Sequence, residues 1–391
     1  MAIEGSSTGA ARPIRYGMVG GGQGAFIGGV HRIAARLDGE FQLVAGCFAS
    51  TPEKSAASGA DLGLPAARVY GTFAEMAARE ARRKDGIEAV AIVTPNHMHA
   101  PVAREFLKRG IHVICDKPLT ATLAEAKKLA KAAAASGALF VLTHNYTGYP
   151  MVRQARAMVA SGELGPIRVV QVEYAQDWLA TPLEGTGQKQ ADWRTDPART
   201  GAGGSTGDIG THAFNLASFV TGLTVEALAA DLQSFVPGRR VDDNGHVMLR
   251  FHGGARGMLW CSQVAPGNEN ALRLRVYGEK AGLSWEQEHP NHLWFTPLGE
   301  PPRLITRGGA GSGPDAARVI RVPPGHPEGY LEGFANIYAE AARAIRAAQG
   351  GHAPDSGVVY PTLADGVAGV AFVDACVRSS HKNAAWVTLN I

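Results

Sequence analysis

The chain has 391 residues, of which 45% are hydrophobic and 19% charged, and its formal net charge is +3. This composition supports a folded core and excludes an intrinsically disordered chain. The length corresponds to two or three domains of roughly 150 residues each. The one basic stretch, residues 79–84, contains no aromatic residue and is typical of a solvated helix end, so we expect no nucleic-acid partner. No apolar run approaches the roughly 18 residues that span a bilayer, so we expect no membrane partner.

Both the start of the chain and its cysteines indicate a cytoplasmic protein. Residues 1–13 are small and polar, and we predict a loose leader there rather than a signal peptide or anchor. The four cysteines are widely spaced and form no Cys-x-x-Cys pair: Cys47, Cys115, Cys261 and Cys376. This spacing predicts neither a disulfide framework nor a metal site, and it fits a reducing cytoplasm.

Strands and helices alternate through the first 145 residues. The apolar runs predict strands at 14–19, 41–47, 89–93, 111–115 and 139–143. Helical patterns between them cover 74–83, 102–108 and 123–136. Alternating units with short loops indicate a parallel sheet with right-handed crossovers. We therefore predict a doubly wound Rossmann domain over residues 14–145.

The pattern changes after residue 145. A helix at 151–161, a strand at 167–174 and a helix at 208–220 are followed by consecutive strands at 227–235, 246–251, 257–262, 272–277 and 283–286. We predict a Gly/Pro-rich mobile loop at 299–314 and closing helices at 328–348 and 361–379. Consecutive strands indicate a large open, mostly antiparallel sheet. The chain is thus predicted to be α/β, with a second α/β domain over 146–391.

A glycine-rich loop follows the first predicted strand and has the sequence Gly20-Gly21-Gly22-Gln23-Gly24-Ala25-Phe26-Ile27-Gly28. Glycines permit a tight turn and let main-chain N–H groups approach a pyrophosphate at a helix start. A glycine-rich string alone is weak evidence in a chain with 49 glycines, but its position after the first strand favours a dinucleotide site. The predicted cofactor contacts are Gly20, Gly22, Gln23, Gly24, Ala25, Phe26 and Ile27, with Ala25 in place of the usual third glycine.

The end of the second strand leaves the choice of dinucleotide open. An acid that would bind the ribose of NAD is missing from Cys47-Phe48-Ala49-Ser50-Thr51. Ser50, a further predicted cofactor contact, and Lys54 are suited to a 2′-phosphate, so NADP is not excluded. Against NADP, the loop contains no arginine, and Thr51-Pro52 is also typical of a helix start.

Polar residues follow the strand at 89–93, in the segment Thr94-Pro95-Asn96-His97-Met98-His99. Their place at the carboxyl end of a strand favours contacts with the cofactor from Thr94, Asn96 and His99. The alternative is a capped turn into the next helix, with the histidines as bystanders.

A lysine stands at the rim of the predicted sheet, in Asp116-Lys117-Pro118, directly after the strand at 111–115. Ligands of open α/β sheets bind beyond the carboxyl ends of the strands, so we interpret Lys117 as catalytic. A lone lysine in such a loop is more often a surface residue, but the glycine-rich loop and a second motif downstream favour function.

That second motif is Asp208-Ile209-Gly210-Thr211-His212, which follows the glycine-rich approach 201–204, expected to be flexible. Residues four apart share one helical face, so Asp208 and His212 can converge on one small molecule. Alone, Asp208 favours a helix N-cap and His212 a buried structural histidine. Together with Lys117 they supply a base, an orienting carboxylate and a cation for alcohol oxidation.

These motifs together resemble the Gfo/Idh/MocA oxidoreductase family, in order and over essentially the whole chain. The resemblance implies an NAD-binding Rossmann domain and a C-terminal domain that binds substrate and commonly forms oligomers, here a tetramer or a dimer. It also implies that Lys117 is the family lysine and that Asp116 lies next to the nicotinamide, although the usual Glu-Lys-Pro is Asp-Lys-Pro here.

Within the family, Trp193-Arg194 and the segment 207–212 look most like levoglucosan dehydrogenases and related enzymes that oxidise C3 of a pyranose, with inositol and glucose dehydrogenases close behind. The resemblance implies hydride transfer from a ring hydroxyl of a sugar or anhydrosugar, with His212 as base and Lys117 stabilising the oxygen. Trp193 and Arg194 are then expected at the nicotinamide or the pocket rim. The implied substrate contacts are Lys117, Tyr146, Gln176, Arg194, Asp208 and His212, and more weakly Asn145.

Two other functions share these motifs. A dinucleotide-sensing regulator of this fold would have no reason to keep Lys117, Asp208 and His212 together. A glycosidase that uses bound NAD for transient oxidation would keep all of them, and the sequence does not separate it from a dehydrogenase.

Overall fold

The computed structural model describes residues 12–391, so residues 1–11 of the predicted leader lie outside the described part. The N-terminal sheet has five parallel strands in the order β2-β1-β3-β4-β5. Their bounds are β1 Ile14–Gly20, β2 Phe41–Cys47, β3 Ala89–Val93, β4 His112–Cys115 and β5 Phe140–Leu142. The connecting helices are α1 Phe26–Leu37, α2 Pro52–Asp61, α3 Phe73–Glu80, α4 His99–Leu107 and α5 Leu123–Ser136. The predicted Rossmann fold is confirmed.

The sheet is apolar on both faces, as parallel sheets covered by helices are. Every residue of β3 is buried. Part of one face is covered by a helix from near the end of the chain, α11 (Tyr330–Gln349). Its residues Phe334 and Tyr338 pack in one cluster with Val30 and Ala34 of α1. The N-terminal core is therefore completed by a segment some 300 residues away, which local sequence patterns cannot indicate.

A second sheet has nine strands, in the order β13-β12-β11-β10-β6-β9-β8-β7-β14. Its strands are β6 Ile167–Ala175, β7 Val225–Gln233, β8 Asn244–Phe251, β9 Arg256–Ser262, β10 Ala271–Gly278, β11 Ala281–Glu286, β12 His292–Pro297, β13 Arg303–Thr306 and β14 Val387–Thr388. Only β6 and β9 pair in parallel, so the sheet is mostly antiparallel, as predicted. One face packs on helices α6 (Pro150–Ala160), α9 (Thr211–Thr221) and α12 (Leu363–Ser380).

The remaining helices are short: α7 Lys189–Arg194, α8 Pro197–Thr200 and α10 Pro314–Ala317. The predicted mobile loop at 299–314 is wrong in part, because β13 lies within it and pairs with β12 through Leu293 and Ile305. A strand of four residues is too short to show a clear alternation.

Two further observations concern the whole described chain. None of the helices in residues 12–391 combines the length and apolar character needed to cross a membrane. The four cysteines are free and buried, as expected of core thiols. The candidate site lies between the start of α1, the carboxyl ends of β4 and β5, the start of α9, and the strand ends of the second sheet at β6 and β10.

Candidate active site

Lys117 lies two residues beyond the end of β4 and contacts the second half of the chain. Its Nζ donates hydrogen bonds to the main-chain oxygen of Asp208 at 2.6 Å and to Asp208 Oδ1 at 2.9 Å. Both side chains are only 13% exposed. The two motifs predicted to act together therefore form one buried ion pair across 91 residues of sequence.

Asp208 is part of a π-helical turn, Thr206–Gly210, which continues directly into α9. It is not a helix cap, because its carboxylate accepts hydrogen bonds from side chains instead. Besides Lys117, Arg194 Nε lies at 3.2 Å and Gln263 Nε2 at 2.9 Å from Oδ2. Burial alone would raise the pKa of Asp208, but the charges of Lys117 and Arg194 lower it strongly, so this carboxylate is ionised.

The turn that carries Asp208 is anchored by Asp242, from the loop between β7 and β8. Asp242 accepts hydrogen bonds from Gly204 N at 2.7 Å, Ser205 Oγ at 2.7 Å, and Thr206 N and Oγ1, each at 2.8 Å. A Cβ on Gly204 would lie 2.0 Å from the main-chain oxygen of Asp242. The predicted flexibility of the approach 201–204 is therefore wrong, since its glycines allow close packing.

His212 follows one helical turn after Asp208 and is 7% exposed. Its Nδ1 lies 3.5 Å from Nδ1 of His144, just beyond β5, and its ring packs edge-on against Tyr146 with the centroids 4.8 Å apart. Burial and the nearby Lys117 lower the pKa of His212 well below its usual value and that of His144 to about 3. Both imidazoles are therefore neutral near pH 7. In the described structure, Asp208 makes no hydrogen bond to His212.

Asp116, next to Lys117, is also ionised. Burial would raise its pKa, but the neighbouring His31, Lys117 and His99 lower it to about 2. Thr143 Oγ1 donates to Asp116 Oδ1 at 3.0 Å. The substitution of aspartate for the usual glutamate thus leaves a charged carboxylate beside the lysine.

A hydrogen-bonded set of polar side chains, from the segment after β5 and from the second sheet, faces these groups. The hydroxyls of Tyr146 and Tyr174 lie 2.5 Å apart, and Tyr174 donates to Asn270 Oδ1 at 2.7 Å. Gln176 Nε2 donates to the same oxygen at 2.8 Å. Sequence reasoning named Tyr146 and Gln176 but missed Tyr174, Asn270 and Gln263.

A signal for the missed residues was present in the chain. Gln176 directly follows β6, Gln263 directly follows the parallel strand β9, and Asn270 directly precedes the antiparallel strand β10. These three positions lie at the same end of three neighbouring strands, so polar side chains there converge.

Most of these groups line a cavity of about 390 Å³; His144, Gln263 and Asp242 lie behind its lining residues. The sequence-predicted residues that line it are Phe26, Ile27, Asp116, Lys117, Asn145, Tyr146, Gln176, Arg194, Asp208 and His212. Residues that line it without having been predicted are Thr143, Tyr174, Gln190, Ile209, Asn270, Gln287, Tyr330 and Phe334. A second, shallower space of about 480 Å³ near Phe235 has no titratable lining residue and holds none of the predicted site residues.

The glycine-rich loop fits a dinucleotide. Gly20 and Gly24 have φ angles of 83° and 72°, which favour glycine, and the space beside Gly24 is open. A Cβ on Gly28 would come within 2.4 Å of Gly21 Cα. The close packing that a third motif glycine provides is therefore made by Gly28, and Ala25 instead precedes α1 at its N-cap. Gln23 N donates to Ser58 Oγ at 3.1 Å.

Three predicted cofactor contacts have structural partners instead. Both ring nitrogens of His99 lie 2.8 Å from main-chain oxygens, those of Pro118 and Thr94, and the ring is fully buried. Asn96 Nδ2 donates to the main-chain oxygen of Thr200 at 2.9 Å. Trp193 does not line the cavity but packs against the guanidinium of Arg194, 4.2 Å from its ring centroid. The geometry favours supporting roles for all three.

Two other predicted contacts lie near the loop. Thr94 lies next to Gly20, because a Cβ added to Gly20 would be 2.9 Å from Thr94 Cγ2. The hydroxyl of Thr94 is buried and has no hydrogen-bond partner among the described residues. Ser50 and Lys54 are exposed beyond β2. Thr51 caps α2 by accepting from Lys54 N at 3.4 Å, as the Thr-Pro sequence predicted.

Comparison with known proteins identifies the class. The model for the oxidoreductase family with an NAD-binding Rossmann fold matches residues 14–144, and the model for the GFO/IDH/MocA C-terminal domain matches residues 152–284. The chain therefore belongs to the Gfo/Idh/MocA family of oxidoreductases, and its N-terminal domain is an NAD-binding Rossmann domain.

Among the most similar proteins is an oxidoreductase from Sinorhizobium meliloti, whose crystal structure is 63% identical and covers 96% of this chain and 100% of that one, with a TM-score of 0.89. An inositol dehydrogenase homolog from Azotobacter vinelandii, in complex with NADH and myo-inositol, is 38% identical over 97% of this chain and 98% of its own, with a TM-score of 0.90. Levoglucosan dehydrogenase from Pseudarthrobacter phenanthrenivorans is 28% identical over 77% of this chain and 80% of its own.

Proposed function

We propose that this protein oxidises a secondary ring hydroxyl of a sugar, an anhydrosugar or a cyclic polyol with NAD. The observation that carries the proposal is the convergence of Lys117, Asp208 and His212 on one cavity next to the glycine-rich loop. A levoglucosan-like pyranose oxidised at C3 is the first candidate substrate. The Azotobacter homolog was solved with myo-inositol, and its greater similarity to this chain supports inositol as a second candidate.

The proposed roles follow from the contacts. When bound, NAD supplies a nicotinamide ring that accepts a hydride from the carbinol carbon. His212 takes the hydroxyl proton as general base, because its neutral ring faces the cavity. Lys117 donates a hydrogen bond to the same oxygen and stabilises its developing negative charge. Asp208 holds the ammonium group of Lys117 in place through two hydrogen bonds.

The substrate is expected to be uncharged. Both cations that line the cavity, Lys117 and Arg194, are paired with Asp208, and Asp116 is a second carboxylate, so these charges balance. Apart from His212, the other polar lining groups are amides and hydroxyls. The hydrogen-bonded set of Tyr146, Tyr174 and Asn270 offers donors and acceptors that suit several adjacent hydroxyls.

The deciding experiment is a panel of levoglucosan, glucose, myo-inositol and glycosides with NAD and NADP, while reduced nicotinamide is followed. Net reduction with a free sugar or polyol supports a dehydrogenase. Glycoside hydrolysis without net reduction would instead indicate a glycosidase that returns its hydride. Cofactor binding without turnover of any compound would favour a dinucleotide-sensing regulator.

For the cofactor we propose a preference for NAD over NADP. Ser50 and Lys54 are exposed, and the loop after β2 contains no arginine that could bind a 2′-phosphate. The acid missing from this loop would have repelled a 2′-phosphate, but its absence adds no attraction for one. Specificity constants for the two cofactors test this. An NADP preference that disappears in Lys54→Ala would contradict it.

We also propose that the protein is a homo-oligomer, most simply a tetramer or a dimer. Helices cover one face of the nine-stranded sheet, and side chains on the other face form a row of register neighbours: Leu304, Trp294, Ser284, Arg275, Gln171, Met258, Met248 and Ala229. Met248 and Met258 are 53% and 43% exposed. Leu274, on the neighbouring position of β10, points to the covered side and is buried.

Large apolar side chains on a regular sheet surface favour burial against a second copy. Sedimentation at micromolar concentration tests the assembly. Met258→Glu should dissociate it, whereas Leu298→Glu, in an exposed turn after β12, should not. A monomeric wild type would contradict the proposal.

A further inference from the structure

His144 is a buried histidine in contact with the proposed base. It lies just beyond β5, is 2% exposed, and has a main-chain oxygen that accepts hydrogen bonds from the N and Oγ1 of Thr147. Its ring stands nearly perpendicular to that of His212, at 84°, with the centroids 5.3 Å apart. Its Nδ1 lies 3.5 Å from Nδ1 of His212, which is hydrogen-bond distance.

Each neutral imidazole ring carries one N–H proton. The charged and titratable groups that face His212 are Lys117, Asp208, Tyr146 and Tyr174, and those that face His144 are Lys117 and Asp116. Burial and the ammonium group of Lys117 keep both imidazoles neutral. A hydrogen bond between the two Nδ1 atoms therefore needs a proton on one of them and a lone pair on the other.

The two arrangements differ in what His212 presents to the cavity. If His212 Nδ1 carries the proton, Nε2 has a lone pair and can accept a proton from a hydroxyl. If His144 donates instead, the neutral His212 carries its proton on Nε2 and cannot act as a base there. The partner of one ring nitrogen thus decides the chemistry of the other.

We propose that His144 is a positioning residue that accepts a hydrogen bond from Nδ1–H of His212 and so keeps Nε2 of His212 free to accept the substrate proton. The inference rests on the proposed function, in which His212 is the base. During oxidation the O–H bond of the substrate breaks, an N–H bond forms at Nε2, and His212 becomes an imidazolium. The bond to His144 is then charge-assisted and strengthens, and the proton later leaves from Nε2 to solvent.

The test compares His144→Leu with His144→Asn. Leucine removes the acceptor, whereas the amide oxygen of asparagine lies at the same distance from the backbone as Nδ1 and can replace it. With levoglucosan or myo-inositol we expect His144→Leu to lower kcat by about tenfold or more, up to the ~10²–10⁴-fold effect of losing the general base itself. KM and the Kd for NAD should change less than about threefold, and His144→Asn should recover most of kcat. His112→Asn, a change to a structural histidine on β4, serves as the matched control.

A second measurement needs no turnover. Nitrogen-15 labelling of the histidines, with His212→Ala to assign the signals, reports which ring nitrogen of His212 is protonated. We expect a protonated Nδ1 in wild type and in His144→Asn, and a mixture in His144→Leu. A protonated Nε2 in neutral wild-type His212 would overturn the inference, even if the leucine variant fails to fold.

The outcomes separate this inference from the proposed function. Full activity in His212→Ala would reject the role of His212 as base, and with it the proposed mechanism. Loss of activity in His212→Ala together with unchanged kcat and tautomer in His144→Leu would reject the role of His144 alone.

Discussion

The glycine-rich loop and the cluster around Lys117 meet at one cavity but are stabilised in different ways. The loop is shaped by main chain: Gly20 and Gly24 have positive φ, and Gly21 and Gly28 touch where a side chain would not fit. The cluster is shaped by side chains from distant segments that neutralise one another, with Asp208 between Lys117 and Arg194.

The difference predicts how each region fails. The glycine-rich loop depends on close main-chain contacts that leave no room for a side chain, so one methyl group added at such a contact should disrupt its conformation. The cluster depends on compensation of buried charge, so the removal of one partner leaves another uncompensated. The loop should therefore control cofactor binding, whereas the cluster should control turnover.

The largest expected effect is on turnover in the cluster. Lys117→Ala and His212→Ala should each reduce kcat by ~10²–10⁴-fold, the usual value of a general acid–base group. NAD affinity should stay nearly intact, because the loop does not depend on these side chains. Steady-state kinetics and calorimetric titration with NAD measure the two effects.

Lys108→Ala is the matched control, since that lysine is 68% exposed on the surface. It should leave both quantities unchanged. Near wild-type kcat in either cluster variant would show that the residue has no part in the chemistry.

Asp242 tests whether the cluster depends on its anchor. Asp242→Ala removes the acceptor of four hydrogen bonds that hold residues 204–206. A shift of about 1 Å in a catalytic group can cost about 10²-fold, so we expect a fall in kcat approaching that size together with a lower Tm. Asp315→Ala, at an exposed position in α10, is the control and should change neither. A lower Tm with unchanged kcat would mean that Asp242 stabilises the fold only.

The loop gives a matched pair of glycines on one helix. Gly28→Ala would place Cβ 2.4 Å from Gly21 Cα and 2.6 Å from its oxygen, so the loop must shift. We expect NAD binding to weaken by about tenfold, or about 1.4 kcal/mol. In Gly29→Ala the nearest atom to Cβ is on Arg32 at 4.0 Å, so binding should persist and stability should rise by up to about 1 kcal/mol. Equal NAD affinity in the two variants would show that the Gly21–Gly28 contact does not shape the site.

The last expected effect is on stability rather than on activity, and it is the acid sensitivity that His144 gives to the cluster. In the unfolded chain its pKa is about 6.5, whereas burial lowers the pKa of His144 to about 3 in the folded protein. Above pH 6.5 both states are neutral. As the pH falls below 6.5 only the unfolded chain binds the proton, so the free energy of unfolding falls by up to about 1.4 kcal/mol per pH unit, until the folded pKa is reached.

Urea unfolding at pH 7.5 and pH 5.0 measures this loss. His144→Asn should reduce the difference between the two pH values by up to about 2 kcal/mol. His352→Asn, at an exposed position, should not reduce it. An identical difference in both variants would show that His144 is not buried in its neutral form.

Much of the fold followed from local patterns. Alternating apolar runs and helical periods predicted the five parallel strands, and consecutive strands predicted the second sheet. Strands β12, β13 and β14 were missed. The two shortest, β13 and β14, have only two to four residues, which carry no periodic signal. The packing of α11 on α1 was also missed, because it joins the two ends of the chain.

The sequence by itself determined the chemical groups of the site and their local geometry. Positive φ angles favour glycine, a lysine shortly after a buried strand lies at the sheet rim, and residues four apart share a helical face. Only the tertiary structure decided which groups meet. In the folded protein Lys117 pairs with Asp208, His144 contacts His212, and Asp242 accepts a hydrogen bond from the start of the π-helical turn. Such contacts depend on how two sheets and their loops are placed relative to one another, which is a property of packing rather than of local sequence.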